Sequence, residues 1–309
     1  MKLSLRNKRK MDNFDENNLP SLATCVLGAL ELFASEGLPK IKIPNFKKPV
    51  IVGSGNAIVS AKLLYGDKDV IFADENNYKE VLKRKPDGAI IFSASGEKHA
   101  SIIAEYYKTK KIKTKLITCN SDSTTEKILG KKNVIVTKKN KEPYTYNTST
   151  YLGWVLAKTK EDPKKILDFI NKKVKVKKSI GKYNGYLLLT PENFAQGKEL
   201  FEIKFTELFG RRIAKDIKTF EETKHAVTVV PYEKELCIQF GKGQLDFAND
   251  KIVVPLPPKA GPGTIMAIGY YTIGKIQENK PQWFKKNIAD YIKKASKKKF
   301  GKNLKVIVE

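Results

Sequence analysis

The sequence predicts an α/β fold with two doubly wound, mainly parallel sheets. Short apolar segments typical of buried strands alternate with amphipathic segments typical of helices. Polar turns containing glycine follow several of these strands, and the strand-helix pattern starts again after a lysine-rich segment near residue 180. At 309 residues, the chain is long enough for two domains of ordinary size.

The first half of the sequence predicts a tail and one α/β domain. Residues 1–18 are charged and polar and predict a disordered tail, whereas 19–172 predict the domain. The domain opens with an apolar helix at 19–35, and helices near 148 and at 162–172 close it. Between them, strands are predicted at 49–53, 69–73, 89–93, 115–119 and 133–137. The lysine-rich residues 173–184 read as a linker.

The second half, 185–309, predicts a second domain of the same kind. Strands are predicted at 185–191, 225–232, 234–241 and 250–257. Helices are predicted at 192–209, 261–278 and 283–298. The similar units suggest an internal duplication, in which the second copy lacks the serine-rich loop of the first.

The segment GAIIFSASGEKHA, residues 88–100, is the strongest functional signal. A buried strand runs into a Ser-x-Ser-Gly turn that opens a helix. Such a junction points backbone N–H groups and the positive helix end at one spot, and the hydroxyls of Ser93 and Ser95 can complete the bonds to a dianion. The segment therefore predicts a phosphate site.

Further polar loops are predicted to meet at the same place. The loop GSGN, residues 53–56, follows the first strand, and the cluster Thr148-Ser149-Thr150 begins an apolar helix. Because the carboxyl ends of parallel strands share one edge of a sheet, these loops are expected to converge at the topological switch point.

The motifs GSGNA, SASGEK and TST resemble those of the SIS, or sugar isomerase, domain of phosphosugar isomerases and phosphosugar-binding proteins. The resemblance implies a three-layer sandwich of the flavodoxin or Rossmann type that binds a sugar phosphate. Lys98 stands where that family has threonine, so its ammonium either serves the phosphate or points to solvent. The implied phosphate-binding positions are Ser54, Gly55, Asn56, Ser93, Ala94, Ser95, Gly96, Lys98, Ser149 and Thr150.

More weakly, the second half resembles the isomerase half of glutamine–fructose-6-phosphate aminotransferase and the archaeal-type phosphoglucose/phosphomannose isomerases. The matching segments are KFTE, ending at Glu207, ETKH, ending at His225, and the tail NLKVIVE. The resemblance implies that Glu207 shuttles a proton, that His225 opens the sugar ring, and that Lys302 or Lys305 enters the site. The Glu207-to-His225 spacing is two residues longer than in those proteins.

The net charge of +26 invites comparison with nucleic-acid-binding proteins. Only five of the 59 basic residues are arginine, however, and the lysines are spread over the whole chain. Dedicated nucleic-acid readers favour guanidinium forks, so nucleic acid is not an expected partner. A general positive field that attracts anionic sugar phosphates is the simpler interpretation.

Several other classes of protein are excluded. No apolar run reaches the length of a membrane span, and the N-terminal segment lacks the apolar centre of a signal peptide, so a cytoplasmic protein is expected. Cys25, Cys119 and Cys237 form no paired motif and read as buried thiols. With only His99 and His225, the chain predicts neither a metal site nor a cofactor.

These observations favour a phosphosugar isomerase that interconverts aldose and ketose hexose 6-phosphates through an enediol(ate), without metal. The alternatives are a sugar-phosphate-binding regulator without catalysis and an amino-sugar-phosphate deaminase. A homodimer with a shared active site is expected, because the resembling families bring the ring-opening histidine from the neighbouring chain. The apolar helices at 19–35 and 264–276 are predicted to form its interface.

Overall fold

The computed structural model describes residues 4–42, 45–227, 229–242, 248–298 and 304–309. Within these ranges, helices flank two parallel sheets, which confirms the predicted α/β class. The helices of the first half are α1 (Arg6–Asn13), α2 (Leu22–Glu36), α3 (Asn56–Tyr65), α4 (His99–Thr109), α5 (Thr124–Leu129), α6 (Thr148–Thr159) and α7 (Pro163–Lys173). Those of the second half are α8 (Lys198–Phe209), α9 (Pro262–Glu278) and α10 (Trp283–Lys297).

The first sheet has five parallel strands in the order β2-β1-β3-β4-β5. They are β1 (Val50–Gly53), β2 (Ile71–Ala73), β3 (Ala89–Phe92), β4 (Thr114–Thr118) and β5 (Val134–Val136). Every residue of β1 and β3 is buried, as helices on both faces of a parallel sheet require. Their boundaries lie within two residues of those predicted, because each strand is a short apolar run between polar turns.

The second sheet has four parallel strands in the order β10-β9-β7-β8. A short antiparallel ribbon joins β6 to the C-terminal strand β11. The bounds of the remaining strands are β6 (Glu142–Pro143), β7 (Gly185–Thr190), β8 (Ala214–Thr219), β9 (Glu235–Phe240), β10 (Lys251–Val254) and β11 (Ile307–Val308).

One predicted strand of the second half is wrong. The described part of 225–232 lies outside the sheet, and the place beside β7 is taken by β8, with the sequence AKDIKT. Val229 and Val230 are 74% and 84% exposed. An edge strand needs few apolar residues, because only one of its faces and one of its sides are covered, so the apolar pattern favoured the wrong segment.

The N-terminal segment is also ordered where disorder was predicted. Residues 6–13 form α1, and Met11 and Phe14 are buried in the hydrophobic core. The buried Glu31 carboxylate on α2 accepts hydrogen bonds from the Asn7 side chain and the Lys8 backbone N–H, both at 2.7 Å. The prediction of a disordered tail is therefore wrong for α1, since two apolar anchors and one buried carboxylate outweigh its charged composition.

Helix α9 joins the two halves of the chain, because it packs on α2 and α6 as well as on α8. A Cβ at Gly274 of α9 would lie 2.1 Å from the Ala23 nitrogen, so glycine permits this close crossing. One continuous hydrophobic core contains residues of both sheets, among them Ile51 and Leu188. The apolar faces of α2 and α9 are thus covered within one chain, which corrects their assignment to a dimer interface.

None of the helices in the described ranges is long and apolar enough to cross a membrane. Cys25 and Cys237 are fully buried and Cys119 is partly buried, and all three are free thiols, as predicted. Burial raises the pKa of the Cys25 and Cys119 thiols, which keeps them protonated.

Candidate active site

A cleft of about 1580 Å³ opens at the carboxyl edge of the first sheet. Its lining comes from the loops after β1 and β3, from α8 and from the C-terminal segment. Four residues of the lining have positive backbone φ angles: Gly55 (52°), Lys98 (51°), Thr145 (73°) and Asn147 (43°). Such conformations are costly for residues other than glycine and tend to cluster at functional sites.

The loop that follows β3 forms a compact turn facing the cleft. Ser93 Oγ accepts a hydrogen bond from the Gly96 N–H at 3.1 Å, and Ser95 Oγ accepts one from the Glu97 N–H at 3.3 Å. A Cβ at Gly96 would lie 2.4 Å from Ser123 Oγ, so this position needs glycine for space as well as for its φ of 64°. The sequence pattern SASG therefore specifies the turn.

Side chains at the end of β4 and just after it hold this loop in place. Thr118 Oγ1 donates to the Ala94 carbonyl at 3.0 Å, and Asn120 Nδ2 donates to the Ser95 carbonyl at 2.9 Å. These bonds leave the Ser95 hydroxyl exposed and available to a ligand. The loop is thus organised before an anion binds, which lowers the entropic cost of binding.

The structure brings the predicted Ser54–Asn56 loop and the Ser93–Lys98 loop into the same cleft. Lys98 is exposed, and its ammonium lies 3.4 Å from the Tyr144 hydroxyl and 5.9 Å from the centre of that ring. The side chain therefore lies along the rim of the cleft, where it can approach a bound phosphate.

Glu207, on α8, lines the cleft opposite these loops. Its Oε2 accepts a hydrogen bond from Lys204 Nζ at 2.6 Å, and its Oε1 accepts one from Asn56 Nδ2 at 3.4 Å. Burial raises the pKa of the Glu207 carboxyl above its ordinary range, although the Lys204 ammonium opposes this effect. A carboxylate of raised pKa in a cleft is suited to general base catalysis.

Lys204 is fully buried beside Glu207. Besides Glu207, its ammonium donates to the backbone carbonyls of Thr145 and Tyr146, each at 2.8 Å. All three donors of the ammonium are satisfied, which makes a buried lysine tolerable. The side chain thus ties α8 to the loop before α6 and fixes the position of Glu207.

The structure does not place Ser149 and Thr150 at the cleft. Ser149 Oγ accepts a hydrogen bond from the Asn140 N–H at 2.9 Å, and Thr150 Oγ1 accepts one from the Cys119 thiol at 3.2 Å. The buried Glu142 carboxylate lies at the N-terminus of α6 and accepts hydrogen bonds from the Thr148 and Ser149 N–H groups. The interpretation of these residues as phosphate ligands is corrected, because an internal anion already occupies this helix end.

The other predicted catalytic residues have different locations. His225 is exposed after a short 3₁₀ turn and does not line the cleft of its own chain. Lys305 is exposed and lines the cleft, in a C-terminal segment anchored by β11 and by the Tyr144 N–H, which donates to the Val306 carbonyl at 2.7 Å. Lys302 lies outside the described residues.

Sequence reasoning missed several residues that line the cleft: His99, Asn120, Lys139, Lys141, Tyr144 and Tyr151. His99 directly follows the phosphate loop and could have been found from that position. Lys139 and Lys141 carry no such signal in a chain so rich in lysine. Within the part of the chain that the structure describes, no group of three or more His, Cys, Asp or Glu side chains could hold a metal ion.

No family model matches the sequence. A comparison with curated proteins likewise gives no match. Similarity to known proteins therefore comes from solved structures alone.

Three of these structures have the same fold over nearly the whole chain. The C-terminal domain of glucosamine-fructose-6-phosphate aminotransferase from Francisella tularensis matches with a TM-score of 0.60 and 11% identity, over 86% of this chain and 98% of that one. Tagatose-6-phosphate ketose/aldose isomerase from Escherichia coli matches with a TM-score of 0.56 and 10% identity, over 88% of each chain. Glucosamine-6-phosphate deaminase from Thermotoga maritima matches with a TM-score of 0.55 and 12% identity, over 89% of this chain and 94% of that one. The chain therefore has the fold of the SIS-domain phosphosugar proteins.

Proposed function

We propose that this protein is a phosphosugar isomerase that interconverts aldose and ketose hexose 6-phosphates. One observation carries the proposal: a partly buried carboxylate, Glu207, faces the same cleft as the serine-rich loop Ser93–Lys98. The loop offers hydroxyl and backbone N–H donors to a phosphate, and Glu207 offers a base to the carbons of the sugar. The similar structures include a ketose/aldose isomerase, which supports this class of substrate.

In the proposed reaction, Glu207 removes the proton from the carbon beside the carbonyl of the open-chain sugar. The electron pair of that C–H bond forms the enediolate double bond, and the charge moves onto the carbonyl oxygen. The hydroxyl proton on the neighbouring carbon moves to the former carbonyl oxygen, and Glu207 returns its proton to the former carbonyl carbon, so that the carbonyl now lies one position along the chain. A nearby ammonium, from Lys305 or Lys98, would stabilise the enediolate oxygen. These proton transfers need neither a metal nor a redox cofactor.

Ring opening needs a second acid-base group, and we assign it to His225 of the partner subunit in a homodimer. His225 is exposed, and the segment beside it exposes Val229, Val230 and Tyr232, which is 44% exposed. At the cleft, Ile102 is 54% exposed. A second copy that covered both regions would bury apolar surface and carry each histidine towards the other chain.

The decisive experiment is incubation of the purified protein with fructose 6-phosphate, glucose 6-phosphate, mannose 6-phosphate and glucosamine 6-phosphate in the presence of EDTA. The proposal expects conversion of at least one aldose to its ketose, or the reverse. Release of ammonia from glucosamine 6-phosphate would instead assign the deaminase reaction. Absence of turnover with all four would contradict the isomerase proposal.

The second candidate is a protein that binds sugar phosphates without converting them. The exposed position of His225, away from the cleft of its own chain, favours this alternative. A binding protein needs the Ser93–Lys98 loop but has no use for Glu207. Ligand-dependent thermal stabilisation without turnover would therefore identify it.

A further inference from the structure

The lysines that line the cleft are not paired with carboxylates of the described residues. Four lysines line it: Lys98, Lys139, Lys141 and Lys305. In the described ranges, none of these four comes within ion-pair distance of a carboxylate. Four acidic residues also line the cleft. Glu97 accepts the Thr124 N–H at 2.9 Å and Glu207 is paired with Lys204, whereas Glu16 and Glu309 are exposed to solvent.

Lys139 differs from the other three lysines because it is half-buried and its ammonium has no ion-pair or hydrogen-bond partner among the described residues. Burial lowers the pKa of its ammonium, and the nearest carboxylates, Glu142 and Glu309, only partly oppose this. Glu142 is committed to the N–H groups at the start of α6. Among the described residues, the Lys139 ammonium has no hydrogen-bond acceptor. A half-buried cation without a partner is unfavourable unless a ligand supplies the negative charge.

Lys139 is also too far from the phosphate loop to serve the same phosphate. It follows β5, whereas the loop follows β3, and β4 lies between these strands. Two strand spacings separate the two positions by ~10 Å. Lys141 is a weaker candidate for a second anion, because its ammonium already donates to the Phe14 carbonyl at 2.9 Å and lies over the Phe14 ring.

We propose that the cleft takes sugar phosphates that carry a second anionic group, a phosphate or a carboxylate, and that Lys139 binds this second group. The inference rests on the proposed phosphate site and narrows its class of substrate. The first anion lies in the Ser93–Lys98 loop, and the second lies across the sheet beside Lys139.

The test is calorimetric titration with two pairs of probes, in each of which only the second anion differs. Fructose 1,6-bisphosphate is compared with fructose 6-phosphate, and 6-phosphogluconate with sorbitol 6-phosphate. At least one doubly anionic probe is expected to bind about tenfold more tightly than its partner, the effect of one charge-assisted hydrogen bond. The pair that shows the preference identifies the second anion as phosphate or carboxylate.

Lys139→Met is expected to reduce this preference to below about threefold while changing the affinity for the monophosphate by less than about twofold. Lys139→Arg, which keeps the charge, is expected to retain most of the preference for the doubly anionic probe. Lys132→Met is the matched control, since Lys132 is exposed and outside the cleft but its loss changes the net charge equally. If Lys139→Met does not give a cooperative melting curve, Lys139→Gln takes its place.

Two results would overturn the inference while leaving the phosphate site intact. The first is equal binding within both pairs of probes. The second is a preference that Lys139→Met and Lys132→Met reduce equally, since that pattern belongs to the general positive field of the protein. Failure of fructose 6-phosphate and sorbitol 6-phosphate to bind would instead reject the proposed phosphate site itself.

Discussion

The Lys204 ammonium donates a 2.6 Å hydrogen bond to Glu207 Oε2, from one turn earlier in the same helix. The same ammonium binds the Thr145 and Tyr146 carbonyls, so the carboxylate is fixed relative to the loop that precedes α6. Burial and the ammonium act in opposite directions on the pKa of Glu207. Burial therefore makes the carboxylate a stronger base, whereas the ammonium favours its ionised form.

Replacing Glu207 by glutamine should remove turnover but keep binding. Glutamine has nearly the same shape and can still accept a hydrogen bond from Lys204, but it cannot take a proton. We expect kcat to fall by at least about a thousandfold, while a sugar phosphate still raises the melting temperature. Glu202→Gln, on the exposed face of the same helix, is the control. Full activity in Glu207→Gln would reject the assignment of the base.

The pH dependence of kcat should show an acidic limb above the ordinary carboxyl value of 4.5. Glu207 must be ionised to act, so activity falls as pH falls through its raised pKa. In Lys204→Met the opposing ammonium is gone, and the limb should move to still higher pH. The profile uses kcat because the ionisation of the free sugar phosphate affects kcat/KM. A limb at or below 4.5 would contradict this role.

Lys204→Met should be strongly destabilising. It removes the fully buried partner of the Lys204–Glu207 ion pair and leaves the Thr145 and Tyr146 carbonyls without that donor, and breaking a buried pair typically costs about 3–5 kcal/mol. Lys198→Met is the control on the same helix, because Lys198 forms a more exposed pair with Glu222 whose loss costs less than about 1 kcal/mol. Urea unfolding measures the free energy of unfolding of both variants. Equal losses of stability would mean that Lys204 does not hold the site together.

Ser95→Ala and Ser149→Ala should have opposite effects. Ser95 is exposed at the cleft, so its loss should weaken sugar-phosphate binding by about 1–3 kcal/mol with little change in stability. Ser149 bonds within the core, so its loss should lower the melting temperature and leave the affinity unchanged. Calorimetry and thermal melts separate the two. Unchanged affinity in Ser95→Ala and also in Ser93→Ala would move the phosphate elsewhere.

A shared active site predicts that two inactive variants complement each other. Glu207→Gln and His225→Ala homodimers each lack one function at both sites, whereas a hybrid dimer keeps one intact site. Equal mixing followed by subunit exchange should restore up to about a quarter of the wild-type activity. Light scattering checks the oligomeric state. A monomer, or a mixture that stays inactive after proven exchange, would exclude the shared site.

The phosphate loop could be found from the sequence because its function depends on local geometry. A strand, a turn that requires Gly96 and a helix start follow one another without a gap, so the residue pattern specifies the cradle. Ser149 and Thr150 follow a similar pattern, yet they bond internally because Glu142 reaches the same helix end. That carboxylate is six residues before Thr148, and nothing in its spacing indicates where it points.

The sequence by itself determined the α/β class, the parallel strands of the first sheet and the loop Ser93–Lys98, because these depend on apolar periodicity and turn chemistry between neighbours along the chain. Only the tertiary structure decided that Glu207 lies partly buried beside Lys204 and Asn56, the latter 151 residues away in sequence. It also decided that α1 is ordered and that α2 and α9 cover each other. These outcomes depend on which distant surfaces exclude water from one another, a property that local pattern does not encode.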